Sequence, residues 1–206
     1  MEATLPLLFA AVVGFTHAFE ADHLVAVSNI VTKRDRLLLS IKDGIYWGLG
    51  HTSTIFLIGC IMILGKATFL NSYFGYFEAL VGLMLVVLGI YRIYQFNKSK
   101  HNKAALMDPH DNHHLAYGVG LIHGLAGSGA MILLVMTEIQ GSVNSLIYLL
   151  IFGIGSVVGM LVAAGIFSLP FSKKITNNRS LQFGLILLSS LLCIGYGSFV
   201  IYENLA

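Results

Sequence analysis

The sequence predicts an all-α, polytopic membrane protein with six transmembrane helices. Of its 206 residues, 56% are hydrophobic and only 11% are charged, whereas a typical soluble domain has about 25% charged residues. Six apolar stretches reach the length of about 20 residues that a spanning helix requires. These stretches are too long and too continuously apolar for the alternating strands of a membrane β-barrel.

The six stretches follow one another along the chain. The first begins after a terminus without basic residues, so we expect a retained helix and not a cleaved signal peptide. Asp, Glu, Lys and Arg are absent from residues 44–65, 139–172 and 180–202, which supports the second, fifth and sixth helices. The predicted helices occupy residues 5–31, 44–65, 74–96, 116–138, 144–170 and 181–203.

The basic residues predict the orientation of these helices. Of the 12 Lys and Arg residues, all except Lys66 lie in or beside the connections after the first, third and fifth helices. Connections rich in Lys and Arg stay in the cytoplasm. We therefore expect a multi-pass protein of the inner (plasma) membrane with both termini outside the cytoplasm.

Two segments of the chain resemble each other. Residues 14–22 (GFTHAFEAD) match residues 120–128 (GLIHGLAGS), and the spacing from His17 to His51 is nearly that from His123 to Ser156. Each half holds three predicted helices, an odd number, so the halves insert in opposite directions. The prediction is a 3+3 inverted repeat, the plan of many transporters whose sites lie near the membrane midplane. Its parts are a first repeat (1–96), a cytoplasmic His-rich loop (97–115) and a second repeat (116–206).

The first stretch contains four ionisable side chains within seven residues: His17, Glu20, Asp22 and His23. Each charge inside a membrane costs about 2.5–3.5 kcal/mol on insertion scales, so such residues are normally paired and functional. Imidazole together with carboxylate suits Ni, Co or Zn. We expect His17, Asp22 and His23 to bind metal and Glu20 to play a weaker or supporting part. The alternative is an acid–histidine pair that locks helices together.

The geometry of a straight helix limits this prediction. At 3.6 residues per turn, Asp22 lies about 140° and His23 about 240° around the helix from His17. These three side chains cannot converge on one ion from a regular helix. Either the helix is broken here, or only some of the side chains bind the metal while others contact the ligands.

Other residues at the same depth are candidate ligands. His51 and His123 each lie about seven residues from the cytoplasmic end of a helix, and at 1.5 Å per residue they are about 10–14 Å deep, level with Asp22 and His23. The alternative for each is a core histidine bonded to a backbone carbonyl. Ser128 matches Asp22 in the second half and offers a neutral oxygen as a weaker ligand.

The predicted cytoplasmic loop is rich in histidine. Four of its side chains are candidates for metal capture, because His-rich tracts collect divalent metal; the alternative is a solvated polar connector. The four are His101, His110, His113 and His114.

Three motifs are similar to those of a known family. The pattern His-x4-Asp-His at 17–23, the segment Leu-Gly-His-Thr-Ser-Thr at 49–54 and the segment GLIHGLAGSGA at 120–130 resemble the nickel/cobalt transporter (NiCoT) family, in its short, six-helix UreH-like branch. The resemblance implies a nickel or cobalt permease in which His17, Asp22, His23 and His51 match the motif residues. Longer members have about eight helices, and they usually carry Asp where this chain has Glu20.

The expected function is therefore a permease for divalent transition-metal cations, with Ni2+ and Co2+ uptake first and Zn2+ open. The metal is the transported substrate, no cofactor is permanently bound, and the protein is not an enzyme. Two alternatives stay open, an exporter of the same fold and an intramembrane metalloenzyme with a His/Asp-bound zinc. The partners are the metal ion and the lipid bilayer. The net charge of +2 does not suggest nucleic acid. Homo-oligomerisation and, by family analogy, a link to a nickel enzyme such as urease are open.

Overall fold

The computed structural model describes residues 4–32, 34, 36–66, 72–98, 113–126, 132, 135, 139–171 and 179–206. The described residues form α-helices with short 3-10 turns and no strand, as the sequence predicts. The helices are α1 (Thr4–His17), α2 (Ala21–Val31), α3 (Leu37–Gly65), α4 (Phe74–Lys98), α5 (His114–Ala126), α6 (Ser142–Ser168) and α7 (Arg179–Leu205).

Four of the described helices are long and apolar enough to cross a membrane. They are α3, α4, α6 with the 3-10 turn that follows it, and α7. Helices α1 and α2 are apolar but shorter. Large hydrophobic side chains on the outer faces are exposed, for example Leu83, Val87 and Ile90 along α4, as expected where lipid replaces water. The chain is thus a helical membrane protein; the count of six spans stays a prediction.

The first predicted helix is broken into two. α1 ends at His17 and α2 begins at Ala21. The Phe19 and Glu20 N–H groups donate to the carbonyls of Thr16 and His17, at 2.9 and 3.0 Å. Glu20 is extended (φ −66°, ψ 156°) and precedes the first residue of α2. The sequence left open whether this segment is straight, and the structure has a break.

Helix α3 is the centre of the fold and packs against both α5 and α6, while α1 packs on α6 and α4 on α7. Two glycines bring α3 and α5 close together. A Cβ atom at Gly50 would overlap the Tyr117 carbonyl oxygen, and one at Gly120 would overlap that of Trp47. Small residues allow this close approach between membrane helices. The Thr54 hydroxyl adds a hydrogen bond to the Leu121 carbonyl at 2.9 Å.

The loop predicted at 97–115 is shorter at both ends than expected. Helix α4 continues to Lys98, and α5 begins at His114; residues 99–112 lie outside the described residues. The helical hydrogen bonds of α5 extend back to His113, whose carbonyl accepts from the Tyr117 N–H. His113 and His114 therefore belong to the folded start of a helix.

Candidate metal centre

Three imidazoles from three helices meet in the interior of the fold. His17 is the last residue of α1, His23 lies in the first turn of α2, and His51 lies in the middle of α3. All three are buried. Their ring centroids are separated by 4.5 Å (His17–His23), 5.3 Å (His17–His51) and 5.1 Å (His23–His51), and one nitrogen of each lies within 4.8 Å of the others. This spacing suits one metal ion.

The break between α1 and α2 brings the first two imidazoles together. On a continuous helix His17 and His23 would point in different directions, but the extended backbone at Glu20 changes the direction of the chain. The Glu20 carboxylate also accepts a hydrogen bond from His17 Nδ1 at 2.9 Å. The Glu20 side chain is 59% exposed, so it connects the buried His17 to the surface of the described fold.

Asp22 connects α2 to α5. Its Oδ1 accepts hydrogen bonds from the backbone N–H and from Nδ1 of His23, both at 2.8 Å. Its Oδ2 accepts from Nε2 of His123 on α5, also at 2.8 Å. Asp22, His23 and His123 form a second group of donor atoms that lie within 4.8 Å of one another. The carboxylate lies in the first turn of α2, where the helix dipole favours negative charge.

The ring nitrogens form a repeated pattern. His17, His23 and His123 each donate one ring N–H to a carboxylate, which fixes the tautomer and leaves a lone pair on the other nitrogen. Those other nitrogens, His17 Nε2, His23 Nε2 and His123 Nδ1, are buried and have no hydrogen-bond partner among the described residues. Metal-binding histidines have this arrangement, because a carboxylate orients the ring that binds the metal.

His51 strengthens the argument for a ligand at this position. Both of its ring nitrogens are buried without a hydrogen-bond partner among the described residues. Leaving a buried polar group unsatisfied costs about 1–3 kcal/mol, so several such nitrogens in one place are expensive without a ligand. Imidazole nitrogens and one carboxylate are donors that suit Ni2+, Co2+ or Zn2+.

Aromatic side chains surround the imidazoles. The ring of Trp47, one turn before His51 on α3, lies 5.6 Å from that of His23 and 5.8 Å from that of His123. Phe152 of α6 lies 5.4 Å from His17. Both aromatic side chains are fully buried. They exclude water from the centre and so strengthen the electrostatic interactions within it.

The structure brings together the five residues that the sequence singles out as ligands, and it places Glu20 against the first of them. Ser128, His101 and His110 lie outside the described residues. His113 and His114 are described and do not belong to the centre. The five residues are His17, Asp22, His23, His51 and His123.

Sequence reasoning did not single out three buried residues. Trp47 is fully buried beside two of the histidines of this centre. Farther away, Arg34 and Asp43 form a buried ion pair. A single carboxylate near the start of a predicted span is the signal that would have singled out Asp43.

Comparison with known proteins finds similarity to a urease accessory protein and to nickel transporters. It is 36% identical over 176 residues to the urease accessory protein UreH of Bacillus sp. (strain TB-90), covering 81% of this chain and 77% of the relative. It is also 39% identical over 59 residues to the nickel transporter NixA of Staphylococcus aureus, covering 27% of this chain and 17% of that protein.

A more distant match extends over half of the chain. It is 25% identical over 131 residues to the nickel transporter NicT of Mycobacterium tuberculosis, covering 51% of this chain and 34% of that protein. No family model and no solved structure matches the chain.

Proposed function

The chain belongs to the nickel/cobalt transporter family, in its UreH-like branch, and from this we propose that it is a permease that takes Ni2+ or Co2+ into the cell. The observation that carries the proposal is the convergence, from α1, α2, α3 and α5, of buried ring nitrogens that have no partner in the part of the chain that the structure describes. Relatives named as nickel transporters support the choice of substrate. The metal is the cargo of this centre and not a resident cofactor.

The ligands suit a cation that must leave again. Imidazole nitrogens together with the single carboxylate of Asp22 are ligands of the kind that divalent transition metals prefer. The donors belong to four helical segments, so relative movement of these segments changes the ligand set. A transported ion requires such a site, because it must be released on the other side of the membrane.

Packing contacts support the proposed inverted repeat. Gly14 of α1 packs on the Phe152 backbone of α6, as Gly120 of α5 packs on the Trp47 backbone of α3. The sequence match pairs Gly14 with Gly120, and it pairs Trp47 with Phe152, so the two contacts are equivalent. A second pair obeys the same relation: Gly155 packs on Ala11, and Gly50 packs on Tyr117.

The proposed two-fold relation pairs His17 with His123, and both rings lie close to that of His23, at 4.5 and 4.1 Å. Contributions from both proposed repeats support a centre at their interface, where inverted-repeat transporters bind their substrates. Six spans, both termini outside the cytoplasm and a location in the inner membrane complete the proposed topology.

The membrane potential is a sufficient driving force for uptake. Two positive charges that move through 100 mV gain about 4.6 kcal/mol, which corresponds to accumulation on the order of a thousandfold. We propose passive, potential-driven entry, with delivery to a nickel enzyme such as urease suggested by the name of the urease accessory relative.

The test is uptake of labelled nickel into proteoliposomes that contain only this protein, with an inside-negative potential. We expect uptake by the wild type and its loss in His17→Ala and Asp22→Ala. The exposed Glu203 gives the control, and Glu203→Ala should transport normally. Folded wild type that takes up neither nickel nor cobalt would refute the proposal. Metal hypersensitivity of a deletion strain would instead support export, and tightly retained zinc with hydrolytic activity would support a metalloenzyme.

A further inference from the structure

A second buried cluster of charged side chains lies apart from the metal centre. Arg34, in the connection between α2 and α3, donates from Nε to Asp43 Oδ2 at 2.6 Å and from Nη2 to Oδ1 at 3.0 Å. His113, immediately before α5, donates from Nδ1 to Asp43 Oδ1 at 2.5 Å. All three side chains are more than 90% buried. We call this cluster the Arg34–Asp43–His113 network.

The network joins the same three helices that carry most of the metal centre. Arg34 follows α2, Asp43 lies in α3, and His113 precedes α5. The network belongs to the basic end of these helices, because Asp43 precedes His51 by eight residues and His113 precedes His123 by ten. At 1.5 Å per residue these separations are about 12 and 15 Å along the helices.

One face of α3 connects the two clusters. Asp43, Trp47 and His51 follow each other at intervals of four residues, so they lie one above the other on the same side of the helix. All three are buried. Trp47 lies between the ion pair and the imidazoles, and the neighbouring Tyr46 stacks on His113 at a ring distance of 5.0 Å. A cation that leaves the centre toward the basic end along this face meets first Trp47 and then the network.

From this arrangement, which rests on the proposed transport function, we propose that the Arg34–Asp43–His113 network is the cytoplasmic gate of the permease, held closed in this structure. The guanidinium of Arg34 and the imidazole of His113 are hydrogen-bonded to the carboxylate of Asp43, and these hydrogen bonds hold the ends of α2, α3 and α5 together. A positive guanidinium on this path repels a cation while the gate is closed. When the gate opens, Asp43 becomes a ligand for the departing ion.

The charge-assisted bonds explain why a gate would be built this way. Hydrogen bonds between ionised groups are roughly twice as strong as neutral ones, and a buried carboxylate that loses its partners is unstable. The closed state is therefore well defined. A divalent cation offers Asp43 a replacement partner, so opening is favoured when a cation arrives.

The experiment compares two measurements on full-length protein in proteoliposomes. Nickel affinity is measured by quenching of Trp47, the one tryptophan of the chain, and leakiness is measured by nickel efflux from loaded vesicles without a potential. We expect Asp43→Asn and His113→Asn to raise the efflux rate about tenfold, equivalent to about 1.4 kcal/mol of closed-state stability. The affinity should stay within about twofold of the wild type, a change of about 0.4 kcal/mol.

The matched control is Glu203→Gln, the corresponding change at an exposed carboxylate of α7, which should leave both measurements unchanged. A purely structural role would lower the amount of folded protein without raising efflux per molecule. If Asp43→Asn fails to fold, His113→Asn carries the test, because it keeps the Arg34–Asp43 pair.

Two outcomes separate the gate from the transport function. Wild type that transports nickel, with variants that show wild-type efflux, would overturn the gate alone. Wild type that neither binds nor transports nickel would overturn the transport function and the gate with it.

Discussion

The change Asp22→Asn tests how the metal centre is organised. Asp22 accepts two ring N–H bonds, one from His23 and one from His123, each at 2.8 Å. An asparagine has the same shape but only one acceptor oxygen and no charge. One imidazole therefore loses its orienting partner. Removing a carboxylate that orients a metal-binding histidine typically lowers metal affinity about 10–100-fold, which is about 1.4–2.7 kcal/mol.

Trp47 provides the assay for this prediction. Its ring lies 5.6 and 5.8 Å from those of His23 and His123, so a paramagnetic Ni2+ or Co2+ ion bound there should quench its fluorescence. Titration of purified protein then gives the dissociation constant. The comparison is Glu20→Gln, the same chemical change at a carboxylate that is 59% exposed. Water can replace its bond to His17, so we expect a loss of less than about tenfold.

If folded Asp22→Asn binds nickel within about threefold of the wild type, a change of under about 0.7 kcal/mol, Asp22 neither binds the metal nor orients its ligands. An equal loss in both variants would show that the partly buried carboxylate of Asp22 has no special role.

Three further predictions concern packing, pH and a buried arginine. Gly120→Ala places a Cβ against the Trp47 backbone oxygen and should lower the free energy of unfolding by about 1–3 kcal/mol. Thermal denaturation should show no such loss for Gly118→Ala, because a Cβ atom there has no described neighbour within 4 Å. Nickel affinity, measured by Trp47 quenching, should fall as the pH is lowered, because protons compete with the metal for imidazole nitrogens. An affinity that stays constant between pH 8 and about pH 5.5, a range that includes the usual pKa of histidine, would contradict a histidine site. Arg92 is buried and donates to the hydroxyl and carbonyl of Thr32 at the end of α2. We expect Arg92→Gln to lower the free energy of unfolding by about 1.5–3 kcal/mol, and a variant as heat-stable as the wild type would contradict this structural role.

The sequence predicted most of the helices because apolar runs of spanning length leave few alternatives. It also singled out the five residues that the structure brings together, since ionisable side chains inside a membrane are rare and expensive. The break at Glu20 was beyond its reach, because no Gly or Pro marks the segment between His17 and His23. Tertiary contacts, above all the bonds of Asp22 to a histidine 101 residues away, stabilise the break, and such contacts have no local pattern.

The Arg34–Asp43–His113 network shows the same limit for charged residues. Arg34 and Lys42 contribute equally to the positive charge that predicts the cytoplasmic side, and nothing in that charge predicts that Arg34 forms a buried ion pair with Asp43. Asp43 and His113 are 70 residues apart. Charge counting predicts which side of the membrane a segment occupies, but pairing depends on which helices become neighbours.

The helix pairing has a consequence for how the chain is made. The extensive contacts of α1 are with α6, those of α3 are with α5 and α6, and those of α4 are with α7. Each helix of the first half therefore finds its main neighbour in the second half, which the ribosome synthesises later. The helices of the first half therefore lack these neighbours, with their glycine faces and histidines uncovered, until the later helices have been synthesised. Biogenesis of this protein is thus completed late and all at once, and a chain that terminates early would leave an unfolded substrate for membrane proteases.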